Sequence, residues 1–393
     1  MKLSARADVP VEPSPEHVVL ATVRARVPDA IDLTVSNPTE VGLVHPDEVY
    51  AALGNPAAAR YEPAPFGIAS ARAAVVDHYA RRHVAVAHDR VWLTASTSEA
   101  YGQLMLLSCD PGDVWWVPQP GYPLLDAIAK PLGVELRRYP LHWLGRWHVG
   151  LAELGSAVAA EPRSRAIVAV APGNPTGAYL GKAELEVIAQ LCASRDLAFV
   201  VDEVFADHDI ALLPDRVRHV GGDLPCTTFV LSGLSKVAAL PQMKLGWVVM
   251  HGPTDAALAV LARVEHLADA FLSVATPVQL ALPQLLAAGD ALRPVIRARL
   301  RTNLASLRAA CAGTVIDVLD VEGGWVALVR LPSLADDLEW AVDLATHARV
   351  LVQPGYLFDL PAPPRIALSL LVEPDRFARA FTAVVARVTQ RST

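Results

Sequence analysis

The sequence predicts an α/β protein, with a mostly parallel mixed sheet in a large domain and a smaller α+β domain. Between about residues 60 and 250, short apolar runs alternate with amphipathic stretches, as in βαβ units around a sheet covered on both faces. After about residue 285, strands and helices follow one another less regularly. We therefore expect residues 1–49 to form an N-terminal arm and part of the small domain, residues 50–285 the large domain, and residues 286–393 the rest of the small domain.

The apolar runs of the large domain are rich in Val, Ile and Trp, which favours buried strands. These runs are Val91–Thr94, Val114–Val117, Glu135–Tyr139, Ala166–Ala171, Ala198–Val201, Thr228–Leu231 and Leu245–Met250. Amphipathic stretches between them, such as Ala69–His83 and Lys182–Ala193, predict helices. Residues 1–30 hold several prolines and predict an arm with one short helix.

In the last third of the chain, apolar residues at 292, 295, 296, 300, 304 and 307 lie on one face of a helix predicted over Asp290–Cys311. The elements predicted after it are strands at Val315–Val321, Trp325–Leu331 and Ile366–Leu371, and helices near Leu338–His347 and from Asp375.

The composition excludes several classes of protein. The hydrophobic fraction is 53% and the charged fraction 19%, so the chain folds around a core instead of remaining disordered. Its 34 Lys and Arg against 41 Asp and Glu give a net charge of −7, which argues against nucleic acid or an anionic membrane as the main partner. No apolar run approaches the ~20 residues of a membrane span, and no secretory signal is evident. We therefore expect a cytoplasmic protein, with its four scattered cysteines as buried thiols.

No metal site is expected. His78, His83 and His88 are spaced by five residues, which does not place them on one helix face. Asp207, His208 and Asp209 are interpreted as a solvated loop.

Lys236 closes a turn of small residues, Leu231-Ser-Gly-Leu-Ser-Lys236, directly after a predicted strand. A lysine amine that is partly desolvated, or that lies near another cation such as Lys244, can act as a Schiff-base nucleophile. The alternative is a solvated surface lysine, which is the usual state of this residue.

Three further segments follow predicted strands, where open α/β sheets bind ligands. Asn174 lies in Ala171-Pro-Gly-Asn-Pro-Thr-Gly177, which on its own favours an ordinary turn. Asp202 ends an apolar strand, and a buried carboxylate there needs a cationic partner unless it caps the next helix. The hydroxyl residues at 96–98 begin a helix, where they form either a phosphate cradle or a plain cap.

Together these segments resemble the class I/II aminotransferases, fold-type-I enzymes that use pyridoxal 5′-phosphate (PLP). The resemblance covers about residues 31–371. In chain order the matching segments are Tyr61 to Gly67 with Arg72, Ser96-Thr97-Ser98, Pro118-Gln-Pro-Gly-Tyr-Pro123, Asn174-Pro-Thr-Gly177, Asp202-Glu-Val204, Ser232-Gly-Leu-Ser-Lys236 with Lys244, and Pro354-Gly-Tyr-Leu-Phe358 with Arg365.

The resemblance implies three catalytic residues. Lys236 would bind PLP as an internal aldimine and then move a proton between the substrate Cα and the cofactor. Asp202 would keep the pyridine nitrogen protonated, so that the ring accepts electrons. Tyr122 would stack on the ring. The fold implied is the PLP-dependent transferase fold type I.

The resemblance also implies binding residues. Asn174 and Phe205 would lie near the phenolic oxygen of PLP. The phosphate would be held by Ser96, Thr97, Ser98, Ser235 and Lys244, with Tyr61 reaching in from the second subunit of a homodimer. Arg365 would bind the substrate α-carboxylate through two hydrogen bonds, beside Asn174 and Ser36. Trp325 is expected either to line the pocket or to pack in the core.

Four positions depart from the family pattern. Phe205 stands where the family commonly has Tyr, whose hydroxyl would donate to the phenolic oxygen. Lys244 replaces an arginine, which exchanges a planar fork for a point charge. Ser36 replaces a common glycine and narrows the pocket, and the interval from Tyr61 to Gly67 is one residue longer than usual.

The function implied is transfer of an amino group from an L-amino acid to a 2-oxo acid. A PLP-dependent lyase that eliminates from a cysteine conjugate uses the same lysine, aspartate and arginine, and stays an alternative. A non-catalytic regulator is disfavoured by the intact Lys236 and Asp202, and by the lack of room for a DNA-binding domain before about residue 31. The aromatic candidates Tyr122, Phe205 and Trp325 favour an apolar or aromatic substrate.

Overall fold

The computed structural model describes residues 4–7 and 12–393, and its elements follow the predicted alternation. The strands are β1 (Ile31–Asp32), β2 (Val91–Thr94), β3 (Val114–Gln119), β4 (Glu135–Trp143), β5 (Trp147–Val149), β6 (Ser164–Val170), β7 (Leu180–Gly181), β8 (Ala198–Asp202), β9 (Arg216–Val217), β10 (Thr228–Gly233), β11 (Gly246–His251), β12 (Asp317–Val318), β13 (Val326–Arg330), β14 (Val350–Leu351), β15 (Gln353–Pro354) and β16 (Arg365–Ser369). The helices are α1 (Pro15–Arg26), α2 (Asp47–Ala51), α3 (Ala69–Ala80), α4 (Thr97–Ser108), α5 (Leu124–Leu132), α6 (Leu151–Ala160), α7 (Lys182–Arg195), α8 (Leu234–Val237), α9 (Thr254–Asp269), α10 (Thr276–Cys311), α11 (Asp337–Asp343) and α12 (Pro374–Ser392).

An eight-stranded mixed sheet forms the larger part of the molecule, in the order β2-β11-β10-β8-β6-β3-β4-β5. Neighbouring strands from β10 to β4 are parallel, whereas β11 runs antiparallel to both β10 and β2. The central strands β8 and β10 are almost wholly buried because helices cover both faces of the sheet. The prediction of a mostly parallel mixed sheet is confirmed.

One edge of this sheet collects the segments singled out in the sequence. The C-terminal ends of β2, β3, β6, β8 and β10 lie at the same edge, together with the start of the reversed β11. Asp202 is the last residue of β8, and Lys236 follows β10 on α8. The topology therefore brings together residues that lie far apart in the chain.

A second core lies beyond the large sheet and contains a four-stranded antiparallel sheet in the order β12-β13-β16-β15. The N-terminal residues Leu33, Val41 and Leu43 pack into this core, and β1 pairs with β14. Helix α10 belongs to both cores, because Leu282 packs under the large sheet and Leu300 packs in the second core. The division into domains at residues 49 and 285 stays a prediction.

Several element boundaries differ from the prediction. Helix α10 begins 14 residues before Asp290, at Thr276, because its first half packs on the large sheet in spite of two internal prolines, Pro283 and Pro294. The strand predicted over Val315–Val321 is reduced to β12. Helix α11 ends at Asp343 in a wide turn over Leu344–Ala348. Within residues 4–7 and 12–393, no helix is long and apolar enough to span a bilayer.

Gly289 lets α10 press against the segment that follows Lys236. A Cβ at this position would lie 2.7 Å from the Cα of Ala238, a backbone atom that a side-chain rotation cannot move. By contrast, a Cβ on Gly155 in α6 would meet no atom within 4 Å. Substitution of each glycine by alanine therefore compares a crowded helical position, Gly289, with an open one, Gly155.

We expect Gly289→Ala to lower the free energy of unfolding by about 1–3 kcal/mol, because it overpacks the contact with Ala238. Gly155→Ala should raise it by about 0.5–1 kcal/mol, because alanine is the better helix former. Urea unfolding of both variants measures the difference. Equal effects of the two substitutions would show that the contact is not tight.

Candidate active site

A cavity of about 540 Å³ opens at the edge of the large sheet where β2, β3, β6, β8 and β10 end, between this sheet and the second core. It collects nine residues that the sequence predicts for the site: Ser36, Thr97, Tyr122, Asn174, Asp202, Phe205, Ser235, Lys236 and Trp325. These residues come from seven separate stretches of the chain. Strand order brings together the five stretches that end or follow strands of the large sheet, whereas Ser36 and Trp325 come from outside this sheet.

Lys236 presents its amine to two aromatic rings. Its Nζ lies 4.9 Å from the ring centroid of Trp325 and 5.4 Å from that of Phe205. These two rings meet edge to face, with centroids 5.2 Å apart. Burial lowers the pKa of Lys236, and the nearby Asp202 carboxylate opposes this shift. The pocket thus favours a neutral, nucleophilic amine more than water does.

Asp202 is a buried acid held by two donors. The backbone N–H of Val204 donates to its Oδ1 at 3.1 Å, and the hydroxyl of Tyr101 donates to its Oδ2 at 2.9 Å. Burial raises the pKa of Asp202 to about 6, although both hydrogen bonds and the Lys236 charge act in the opposite direction. A carboxyl group in this state can accept a hydrogen bond from a cationic ring nitrogen in the pocket.

The turn after β6 presents a side-chain amide with spare hydrogen-bonding capacity. Asn174 lines the cavity, and its Oδ1 is buried without a hydrogen-bond partner. A Cβ on the preceding Gly173 would clash with the Thr176 hydroxyl, so this turn requires glycine for its close packing. Buried polar atoms are nearly always paired, so an amide without a partner at this place indicates a ligand.

The end of the cavity near Thr97 has the features of an anion site. Thr97 begins the 12-residue α4, so the first N–H groups of this helix have no partners within it. Ser235 lines the same cavity from α8. A Cβ on Gly246 would lie 3.1 Å from the carbonyl carbon of Ser96, so glycine allows β11 to approach this turn closely.

Five predicted residues lie outside the cavity wall. The Ser96 hydroxyl caps α4 by accepting a hydrogen bond from the N–H of Glu99 at 3.1 Å, and Ser98 is half-buried in the first turn. Lys244 is exposed in a left-handed conformation, with φ of 50°. Tyr61 is 77% exposed. The cap that the sequence offered as an alternative is thus present at Ser96.

Arg365, the fifth of these residues, is buried at the start of β16. Its Nη1 donates to the carbonyl oxygens of Pro361 at 2.6 Å and Pro363 at 3.3 Å, whereas its Nε has no partner. Tyr122 is the opposite case, because it lines the cavity and is 56% exposed at its mouth. Trp325 combines both expected roles, since it lines the cavity and is also 1% exposed in the second core.

Two features of the site were not expected from the sequence. The hydroxyl of Tyr101 donates to Asp202. The sequence indicates this role only through the position of Tyr101, one helical turn after Thr97 on the same face of α4. Glu322 and Arg216 form a buried ion pair at 2.8 Å, and the Glu322 carboxylate also accepts the N–H of Tyr179. Because Glu322 lies three residues before Trp325, this pair fixes the segment that carries the indole ring.

The prediction that Asp207, His208 and Asp209 form a solvated loop is wrong. These residues are 3%, 0% and 7% exposed. The Nη2 of Arg82 donates to Asp207 at 2.6 Å, and the Nε2 of His208 donates to the carbonyl oxygen of Lys236 at 2.8 Å. Burial is possible because arginines distant in sequence neutralise the acids, which no local pattern reveals. No three His, Cys, Asp or Glu in the described part of the chain are grouped as metal ligands.

Comparison with known proteins identifies the family. The family model described as aminotransferase class I and II matches residues 29–381, which include every segment of the site. The chain belongs to the class I and II aminotransferase family. It is a PLP-dependent aminotransferase with the aspartate aminotransferase-like fold, as its motifs indicated.

Individual relatives of this aminotransferase are distant. It is 27% identical to the glutamate-pyruvate aminotransferase AlaA of Escherichia coli over 359 residues, which cover 88% of this chain and 87% of the relative. It is 27% identical to an alanine aminotransferase of Mycobacterium tuberculosis over 398 residues, covering 91% and 85%. The solved alanine aminotransferase of Pyrococcus furiosus superposes with a TM-score of 0.85 at 21% identity, covering 99% and 100% of the two chains, and this shows the shared fold.

The residues of the pocket fit PLP. An amine of lowered pKa, a buried acid, a side-chain amide with spare hydrogen-bonding capacity and the N-terminus of α4 provide one group each for an aldehyde, a ring nitrogen, a phenolic oxygen and a phosphate. These four groups line a single cavity, through Lys236, Asp202, Asn174 and Thr97.

The raised pKa of Asp202 predicts a stability cost in the cofactor-free protein. Well below pH 3.8 this carboxyl is protonated in both the folded and the unfolded chain. As the pH rises to about 6, the unfolded chain ionises while the folded chain holds the proton, so the free energy of unfolding falls and then stays lower. We expect cofactor-free Asp202→Asn to be more stable than the unmodified chain at pH 8, by up to about 3 kcal/mol.

Urea unfolding of the cofactor-free proteins at pH 8 and pH 4 measures this effect. The gain should be much smaller at pH 4, about 0.5 kcal/mol or less. The same variant should bind PLP more weakly, because it lacks a carboxylate for the ring nitrogen. An equal difference at both pH values would contradict the proposed titration of Asp202.

We expect Glu322→Gln to lower the free energy of unfolding by about 3 kcal/mol, because it leaves the buried Arg216 guanidinium without its main carboxylate. The control is Asp320→Asn, which breaks an exposed pair with Arg308 at 2.9 Å and should cost less than about 1 kcal/mol. Chemical unfolding measures both changes, and a Glu322 effect as small as that of the control would contradict a structural role for the pair.

Proposed function

We propose that this aminotransferase moves the amino group of an L-amino acid with an apolar or aromatic side chain to a 2-oxo acid. The observation that carries the proposal is the position of the Lys236 amine, which faces Phe205 and Trp325 in the same cavity as Asp202. A buried amine close to an acid can transfer a proton at the Cα of a substrate. The apolar rings around the amine favour a substrate whose side chain is uncharged.

We assign the cofactor contacts residue by residue. Asp202 would accept a hydrogen bond from the protonated ring nitrogen, Asn174 would donate one to the phenolic oxygen, and Tyr122 would stack on the ring. Thr97 and Ser235 would bind the phosphate together with the N-terminus of α4, and Ser98 and Lys244 are proposed to assist from outside the cavity wall. Bound PLP supplies an aldehyde for amines and a protonated ring that withdraws electrons from the substrate Cα.

Lys236 carries the proton in this scheme. Its buried amine has a lowered pKa, so it is available as a base to take the proton from the substrate Cα. Asp202 keeps its negative charge beside the ring nitrogen while this proton moves. Trp325 and Phe205 exclude water from the amine, because both rings are almost wholly buried.

Arg365 is proposed to bind the substrate α-carboxylate. Its guanidinium keeps a buried Nε without a partner, and burial lowers its pKa, so an incoming carboxylate would satisfy both the donor and the charge. Ser36 and Trp325 line the cavity, and we propose that they contact the substrate.

The cavity wall supports an apolar or aromatic donor. It includes Leu124, Leu141, Val170 and Phe358 besides the aromatic residues around Lys236. Among the described residues that line it, Arg138 is the one arginine, and both oxygens of Asp126 already accept hydrogen bonds from its Nη2 at 2.8 Å. A substrate side-chain carboxylate would have to displace this pair. Relatives named for alanine and for glutamate and pyruvate make these compounds the first ones to compare.

We further propose a homodimer in the cytoplasm. Exposed apolar side chains occur at Leu106 on α4, at Leu258 on α9 and at Phe271 just after α9, with exposed fractions of 48%, 72% and 65%. Together with the exposed Tyr61 they fit a surface covered by a second copy. Light scattering should give twice the 42.0 kDa mass of one chain.

A panel of single L-amino acids tests the proposed activity. Each is mixed with the PLP-loaded protein, and the loss of the cofactor's visible absorption band is followed. We expect the fastest loss with apolar or aromatic donors, and turnover only when a 2-oxo acid is added. Release of pyruvate and ammonia without an acceptor would contradict transamination, and a strong preference for aspartate or glutamate would contradict the proposed donor class.

The Phe205 position predicts a spectral difference. Because phenylalanine donates no hydrogen bond to the phenolic oxygen of PLP, the protonated, visible-absorbing form of the loaded protein should persist to higher pH than in Phe205→Tyr. A pH titration of absorbance compares the two proteins, with Phe205→Leu as a control that also lacks a hydroxyl. Identical titrations of the first two proteins would contradict the assignment of Phe205 to this side of the cofactor.

A further inference from the structure

A second cavity, of about 510 Å³, lies away from the PLP pocket and is lined entirely by charged residues and histidines. It is enclosed by the chain just after α3, by the loops around residues 207 and 218, and by the middle of α10. Its lining residues are Arg81, Arg82, His83, Asp207, Arg218, His219, Asp290, Arg293 and Arg297. None of them is assigned a role in binding PLP or substrate.

This cavity has an excess of positive charge. Its lining holds five arginines and two aspartates. Burial opposes a charge on His219, but the carboxylates of Asp207 and Glu203 raise the pKa of this histidine to about 9, so it adds a positive charge. Two further acids, Glu203 and Asp209, contact the lining residues and each adds a negative charge. The positive charge of Arg301, which lies 4.0 Å from Asp209, offsets one of them. The excess is therefore three positive charges, in a chain whose net charge is −7.

The internal ion pairs do not use all the donors. Asp207 is contacted by Arg82 at 2.6 Å, by His219 at 3.3 Å and by Arg293 at 3.7 Å. Asp290 is contacted by three arginines: Arg81 at 3.4 Å, Arg82 at 3.1 Å and Arg293. The Nε atom of Arg293 is nevertheless buried without a hydrogen-bond partner. The two carboxylates therefore do not provide a hydrogen-bond acceptor for every arginine N–H group around them.

We propose that this cavity binds a small oxyanion with two or more negative charges. Arginine forks match the oxygens of phosphates and carboxylates, and the excess of positive charge in this partly exposed cavity favours an anion. The shared chemistry is that of a phosphorylated metabolite or a dicarboxylate. The anion would complete the hydrogen bonding of Arg293 and balance the excess charge.

The position of the cavity connects it to the active site. Asp207 lies two residues after Phe205, and the next residue, His208, donates its Nε2–H to the carbonyl oxygen of Lys236. Arg293 and Arg297 lie on α10, the helix shared by both hydrophobic cores. A bound anion would therefore join the loop behind Lys236 to the helix between the two parts of the fold.

Isothermal titration of the PLP-loaded protein tests this proposal, because bound PLP blocks the phosphate site of the active centre. Binding of succinate at the proposed Arg365 site would be the same in all variants and is thereby distinguished. The probes are pyrophosphate and succinate, at low ionic strength to limit screening. The variants are Arg81→Gln, whose side chain is half-exposed, and Arg293→Gln. The control is Arg263→Gln, an exposed arginine on α9.

We expect one saturable site per chain for at least one probe, with affinity reduced about tenfold or more in Arg81→Gln and Arg293→Gln and unchanged in Arg263→Gln. Preference for pyrophosphate would assign the site to phosphorylated compounds, and preference for succinate to dicarboxylates. The proposal is overturned if neither probe binds at low millimolar concentration, or if binding is the same in the control and in both cavity variants.

Discussion

The burial of one amine beside one carboxyl group is the constraint on which the rest of this structure depends. Lys236 and Asp202 shift in opposite directions from their ordinary pKa values, because the cavity disfavours the charged form of each group. Neither shift would persist in an open loop. The aromatic rings of Phe205 and Trp325 and the hydroxyl of Tyr101 keep the pair dry and oriented.

The fold places this pair through strand order. Asp202 and Lys236 leave neighbouring parallel strands at the same edge, and the reversed β11 brings Gly246 against the Ser96 turn. The second core then supplies Trp325, and the Glu322–Arg216 ion pair ties the segment before it to β9. Arg216 in turn donates to the carbonyl oxygen of Trp147 on β5 of the large sheet. The active site is therefore built from both cores, and α10 is the covalent element common to them.

The sequence predicts the parts of this site that have local signatures. Lys236, Asp202, Asn174 and Thr97 each lie at the end of a strand or in the turn or helix that follows one, and the apolar runs place those strand ends on one edge. Tyr101, Glu322 and Arg216 leave no such signature, because their partners lie about 100 residues or more away in the chain. The same reason explains the error at Asp207–Asp209, where burial depends on arginines from α10 and from the chain after α3. Arg365 and Lys244 show the remaining limit, since a motif gives a residue's place in the chain and not the direction of its side chain.

The central claim is that Lys236 is the residue that binds PLP covalently. Borohydride reduction of the loaded protein, followed by peptide mass spectrometry, tests it most directly. The account predicts that the peptide containing Lys236 gains the mass of a reduced pyridoxyl phosphate group, that Lys244→Ala retains this modification, and that Lys236→Ala loses it. A modification at another lysine, or none at all, would contradict the account.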